Sequence, residues 1–115
     1  MMSCSVLMTT YNRAKLLNRS LPSVIRQLNN DDEIIIVDDG SDDKDELLRY
    51  IDEHKKTFPN IHYYRRERSG YNNGAIPKNI ALKKSTKDVI IISDPEVIHH
   101  TDCIKQMLKY IESDD

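Results

Sequence analysis

Short runs that are apolar at every position alternate along the chain with stretches in which apolar residues recur every three or four places. Ile34-Ile35-Ile36-Val37 and Val89-Ile90-Ile91-Ile92 are such runs. Continuous rather than alternating hydrophobicity marks strands covered on both faces, as in a parallel sheet. Both are therefore expected to be central and almost wholly buried. Ser5-Val6-Leu7-Met8 reads as a first strand, and the more polar Ile61-His62-Tyr63-Tyr64 as one near an edge. Asn12 is the expected N-cap of a helix whose buried side is Ala14, Leu17, Leu21, Val24, Ile25 and Leu28, with Pro22 predicting a kink or a restart. Ser41 is expected to cap a second helix that buries Leu47, Leu48 and Ile51 with Phe58, and Pro59-Asn60 ends it. A third helix should run from about Ile76 to Lys84, and a fourth, after Thr101, shows Ile104, Met107, Leu108 and Ile111. The order βαβαβαβα predicts an α/β fold: a doubly wound, mostly parallel sheet with helices on both faces. Arg65 to Gly74 is the most loop-like segment.

The length of 115 residues allows one small domain, with no repeat or linker visible. Lys and Arg total 17 against 19 Asp and Glu, a net charge of −2, which lacks the basic excess of a nucleic-acid binder. No apolar run approaches the roughly 20 residues that span a bilayer. The opening Met1-Met2-Ser3-Cys4 has no signal-peptide character. Cys4 and Cys103 lack metal-site spacing and are expected as buried or half-buried thiols of a reducing compartment. The expected location is the cytoplasm.

In an open α/β sheet, ligands bind beyond the carboxyl ends of the strands, and those ends are polar here. The first strand runs into Thr9-Thr10-Tyr11-Asn12-Arg13, the second into Asp38-Asp39-Gly40-Ser41, the fourth into Ser93-Asp94-Pro95-Glu96. Gly40 and Ser41 suit a helix start, but two adjacent acids directly after a buried strand must overcome mutual repulsion, which favours a functional pair. Asp94 and Glu96, one residue apart in an extended turn, can point the same way and share a hard cation such as Mg²⁺ or Mn²⁺, with phosphate oxygens and water completing the shell. Of His99-His100, His100 reads as surface and His99 stays a candidate metal ligand. Tyr11 suits a stacking platform for a base; Tyr50, Tyr63, Tyr64 and Tyr110 read as packing. Arg65, Arg66 and Arg68 are either a solvated basic surface or partners for a diphosphate.

Val6-Leu7-Met8-Thr9-Thr10-Tyr11-Asn12-Arg13, Ile36-Val37-Asp38-Asp39-Gly40-Ser41, Pro77-Lys78-Asn79 and Ile92-Ser93-Asp94-Pro95-Glu96 together resemble the ordered signatures of family 2 glycosyltransferases with the Rossmann-like GT-A fold. The resemblance implies that Thr9 and Tyr11 line a uridine pocket, that Asp39 accepts the uracil N3–H, and that Asp38 supports ribose or base. Lys78 stands where the family has the Arg of an Ala-Arg-Asn motif, and would approach base or diphosphate. Asp94-Pro95-Glu96 takes the place of the Asp-x-Asp metal motif, with the longer Glu arm as a departure. The implied partner is a nucleotide-diphosphate sugar, a UDP-sugar foremost, and the implied reaction is sugar transfer to an acceptor hydroxyl with divalent metal. Only 19 residues, Val97 to Asp115, follow the metal motif. The resemblance puts the acceptor half and catalytic base beyond that point, so the chain is expected to hold the donor-binding part, with uncovered apolar surface and either self-association or marginal stability as the consequence. A non-catalytic nucleotide-binding module is the alternative. A phosphoreceiver domain is more remote, because its acid pair would end the first strand rather than the second.

Overall fold

The computed structural model describes residues 2–68 and 75–113. Four strands and four helices alternate: β1 (Cys4–Thr10), α1 (Ala14–Ile25), β2 (Glu33–Asp38), α2 (Lys44–Lys55), β3 (Ile61–Arg65), α3 (Ala75–Lys84), β4 (Val89–Ile92) and α4 (Cys103–Ser113). The strands form one parallel sheet in the order β3-β2-β1-β4. Of the segment expected to be a loop, positions 69–74 lie outside the described residues and Arg65 closes β3.

Strand alternation sorts the core into two layers. Val6, Met8, Ile34 and Ile36 face α1, α2 and α4, meeting Leu17, Leu21, Leu47, Ile51 and Ile104. Leu7, Ile35 and Val37 face α3, meeting Ala81 and Ile80. β2 lies inside the sheet and all six of its residues are buried. Each isoleucine removed from water in this way contributes about 1.5–3 kcal/mol.

β4 departs from expectation. It pairs with β1 alone among the described strands and forms an edge, so alternate residues reach solvent: Ile90 is 43% and Ile92 55% exposed. Hydrophobicity at every position specified a strand here, but burial of both faces needs a neighbour and a covering layer. On α4, Ile104 is buried, while Met107 and Ile111 of its expected buried side are exposed.

The helix starts also differ. Asn12 is not the cap of α1: it adopts a left-handed backbone, φ 52°, and the helix begins after Arg13. The Ala14 amide instead donates to Asp43 Oδ2 at 3.1 Å, a carboxylate from the β2–α2 loop. Ser41 does not cap α2, which starts after Asp43; its hydroxyl accepts the Asn12 amide at 2.9 Å. α1 runs unbroken through Pro22 rather than restarting. α4 is tied to α1 by Arg26, whose guanidinium meets Asp102 at 2.6 Å, and by Gln27, whose Oε1 accepts the Ile104 amide at 2.8 Å. Local spacing cannot reveal caps supplied from distant loops.

Candidate functional site

β1 lies between β2 and β4, so the polar segments that follow these three strands come together beyond the carboxyl edge of the sheet, where open α/β sheets bind ligands. Register sets which side chains meet there. Thr10 pairs with Asp38, and Asp38 with Arg65, a line across three strand ends. The loops after β1 and β2 are laced together. Asn12 Oδ1 accepts the Asp42 amide at 2.7 Å, and Asn12 N–H donates to Ser41. Asn tolerates the left-handed backbone this requires. The lacing fixes the loop that carries Tyr11.

Adjacent in sequence, Asp38 and Asp39 serve opposite layers. Asp38 belongs to the face of Ile34 and Ile36 and is fully buried. Its Oδ1 accepts the Ser41 amide at 2.9 Å; its Oδ2 accepts the Tyr63 hydroxyl at 2.6 Å and Arg65 Nη1 at 2.9 Å. The Tyr63 phenol is pushed well above its ordinary pKa, by burial first and by the bond to Asp38. Asp38 has no exposed surface to offer a ribose or base. It organises the turn, and the repulsion between adjacent acids is met by arginines rather than by a ligand.

Asp39 continues the α3 side, with Thr9 and Tyr11 at the end of β1. Its Oδ1 pairs with Arg66 Nε, and its Oδ2 accepts Arg68 Nε at 3.3 Å. The Arg68 guanidinium also lies 3.7 Å from the centre of the Tyr11 ring. Gly40, at φ 77°, makes this crossing possible: a Cβ there would stand 2.8 Å from the Arg68 backbone nitrogen. Thr9 and Tyr11 are half-buried, and Lys78 is exposed on the first turn of α3, the helix packed over β1 and β2. The sequence leaves Arg65, Arg66 and Arg68 as a solvated basic surface or as partners for a diphosphate; in the structure all three guanidinium groups meet the two buried acids instead. The tight Gly40 turn was the signal that a second chain segment passes close.

At β4, Ser93 N–H donates to the Leu7 carbonyl at 3.0 Å, extending the pairing with β1 by one residue. Asp94 and Glu96 then stand exposed around buried Pro95. β1 separates them from Asp39, about 10 Å at the usual strand spacing. No cluster of three or more His, Cys, Asp or Glu side chains exists among the described residues. Two exposed carboxylates still suit a hard cation that takes its remaining oxygens from phosphate and water. His99 is engaged at both ring nitrogens: Nε2 lies 3.0 Å from Ser93 Oγ and Nδ1 3.0 Å from Cys103 Sγ. Burial, then the Arg26 charge, lowers its pKa. Its contacts tie the 93–96 turn to α4.

Residues 5–115 match the family described as Glycosyl transferase family 2. The chain belongs to that family. It is 29% identical over 112 residues to the poly(ribitol-phosphate) beta-N-acetylglucosaminyltransferase TarP of Staphylococcus aureus, covering 96% of this chain and 33% of the relative. To the chondroitin synthase of Pasteurella multocida it is 30% identical over 91 residues, 78% of this chain and 9% of the relative. Among solved structures, S. aureus TarS 1-349 in complex with UDP-GlcNAc superposes with a TM-score of 0.79 at 24% identity, over 97% of this chain and 32% of that one. The mannosyltransferase PcManGT of Pyrobaculum calidifontis, in complex with GDP-Man and Mn²⁺, gives 0.77 at 22% identity, over 94% and 32%. The fold is thus that of GT-A glycosyltransferases, and the chain spans about a third of the length of TarP. No helix among the described residues is long and apolar enough to cross a membrane.

Proposed function

We propose that this chain supplies the donor-binding part of a glycosyltransferase that moves a sugar from a nucleotide diphosphate, a UDP-sugar foremost, to an acceptor hydroxyl. The observation that carries this reading is that the adjacent ends of β1, β2 and β4 bring Tyr11, Asp39 and the Asp94–Glu96 pair to one carboxyl edge of the sheet. Tyr11 offers a face for the base, Asp39 accepts an N–H from its edge, and Thr9 lines the same side. Asp38 acts as a positioning residue by fixing the Asp39–Ser41 turn. Lys78, on α3, brings positive charge toward base or diphosphate. Asp94 and Glu96 would hold Mn²⁺ or Mg²⁺, which when bound neutralises the diphosphate as it leaves. Without it, the two carboxylates repel the diphosphate. The crystallised complexes of TarS with UDP-GlcNAc and of PcManGT with GDP-Man and Mn²⁺ support the same ligand classes. Two cysteines without a disulfide suit a cytoplasmic setting.

Calorimetric titration of UDP, GDP and uridine, with and without Mn²⁺, tests the reading. UDP should bind more tightly than GDP and need the metal; uridine should bind nearly equally either way. Metal-independent UDP binding would remove the metal role. UDP binding without Mn²⁺-dependent turnover of a UDP-sugar would mark a nucleotide-binding module.

A further inference from the structure

The contacts that the proposed function reserves for a base are already made inside the protein. Uracil on this site would stack on Tyr11 and donate its N3–H to Asp39. Arg68 does both: its planar guanidinium lies 3.7 Å from the Tyr11 ring centre, and its Nε donates to Asp39 Oδ2 at 3.3 Å. A flat, delocalised donor on an aromatic face is a favourable arrangement in its own right. One face of one ring cannot hold both partners.

The position is built by the backbone as well as by the side chain. Arg66 N–H donates to the Asp38 carbonyl at 3.0 Å, pinning the segment beside the β2 turn. Gly40 leaves room for it, with the prospective Cβ 2.8 Å from Arg68 N and 3.3 Å from Arg66 O. The two arginines also differ. The Arg66 side chain is 15% exposed and pairs with the other Asp39 oxygen, whereas Arg68 is 34% exposed and can swing outward. When Arg68 leaves, Arg66 still balances Asp39. Arg66 also holds a buried Nη2 with no hydrogen-bond partner among the described residues.

We infer that Arg68 is a built-in competitor for the nucleobase: it fills the Tyr11–Asp39 site in the free protein, and a pyrimidine nucleotide binds by displacing it. The inference rests on the assignment of Tyr11 and Asp39 as the base site. Its consequence is a lowered apparent affinity, because only the fraction of molecules with Arg68 swung out is ready to bind. It also excludes loosely held aromatic compounds that cannot offer both a stacking face and an N–H to Asp39.

The test uses uridine, which has no phosphate and so does not respond to lost positive charge as UDP would. In calorimetry on the intact chain, Arg68→Ala should tighten uridine by about three- to tenfold, the scale of one partly exposed cation–π contact with its ion pair. Arg68→Gln, which keeps length without the charged plane, should tighten it less. In the free protein the Arg68 Nε–H resonance should carry a ring-current shift that Tyr11→Leu removes and that saturating uridine also removes. If wild type binds UDP with Mn²⁺ but neither variant binds uridine more tightly, the competitor role is wrong while the base site stands. An Arg68 resonance unmoved by saturating uridine overturns it too. If neither wild type nor variants bind UDP or uridine, the base-site assignment itself fails.

Discussion

At the carboxyl end of β2, Asp38 and Asp39 are enclosed by Tyr63, Arg65, Arg66 and Arg68, and with the Ser41 amide these partners use all four carboxylate oxygens. At the carboxyl end of β4, Asp94 and Glu96 stand in solvent with no ion pair among the described residues. Both pairs follow a run of four apolar β-branched residues. The difference comes from position in the sheet. A central strand delivers its end beneath loops from both neighbours, which must then satisfy any charge brought there. An edge strand delivers its end to water, where charge needs no partner. Acids at a central strand end are therefore architectural unless something is cleared away, and acids at an edge are available to a ligand at once.

Removing a buried charge should separate the two ends most sharply. Asp38→Ala leaves the Tyr63 hydroxyl and the Ser41 amide without their acceptor, takes from Arg65 its buried carboxylate, and should cost about 3–5 kcal/mol of stability. Asp94→Ala should change it by less than about 0.5 kcal/mol. Urea denaturation of both variants makes the comparison, and equal losses would mean that the β4 turn is held as tightly as the β2 turn. The same contrast holds in the strands: Ile36→Ala should cost about 2–5 kcal/mol through its cavity, and Ile92→Ala only a small fraction of that.

Binding sharpens the comparison at smaller amplitude. Asp39→Ala should weaken UDP by about 1–3 kcal/mol, because a base N–H would lose its acceptor, and should weaken uridine in parallel. Asp94→Asn and Glu96→Gln should weaken UDP only when Mn²⁺ is present and leave uridine unchanged. Parallel effects on uridine from the β4 variants would break the division of labour between the ends.

The smallest effect concerns pH. His99 has its pKa lowered from 6.5 by burial and by Arg26, and His54 is lowered by burial. The folded state therefore takes up these protons less readily than the unfolded chain. Their stability contribution is intact above the unfolded pKa of 6.5 and declines as pH falls below it. His99→Gln should flatten thermal stability between about pH 7 and pH 5.5, with His54 supplying the remaining slope. An unchanged slope would show that His99 protonates freely and does not tie the 93–96 turn to α4.

Much of this architecture is legible in single residues. Ile34 to Val37 mark a buried strand because a chain cannot expose four consecutive β-branched residues cheaply, and β3 is marked as an edge by His62, Tyr63 and Tyr64. Tyr11, Asp39, Asp94 and Glu96 could be named because polar residues directly after apolar runs gather at one end of a parallel sheet, whereas Thr9 and Lys78 are named by the family resemblance alone. Arg66 and Arg68 could not be assigned, since their partners lie 27 and 29 residues away. Nor could the capping of α1 by Asp43, where Asn12 was the better local candidate.

By itself the sequence determined the alternation of strands and helices, the two-sided burial of β2 and the edge at which polar residues collect. Those properties follow from periodicity and from the cost of leaving apolar runs in water. Tertiary structure alone decided that β4 lies at an edge, that Asp38 braces a turn while Asp39 pairs with Arg66 and Arg68, and that Arg68 covers Tyr11. These depend on strand order and register, because alternation sends adjacent residues to opposite layers and only the neighbouring strand determines what each one meets.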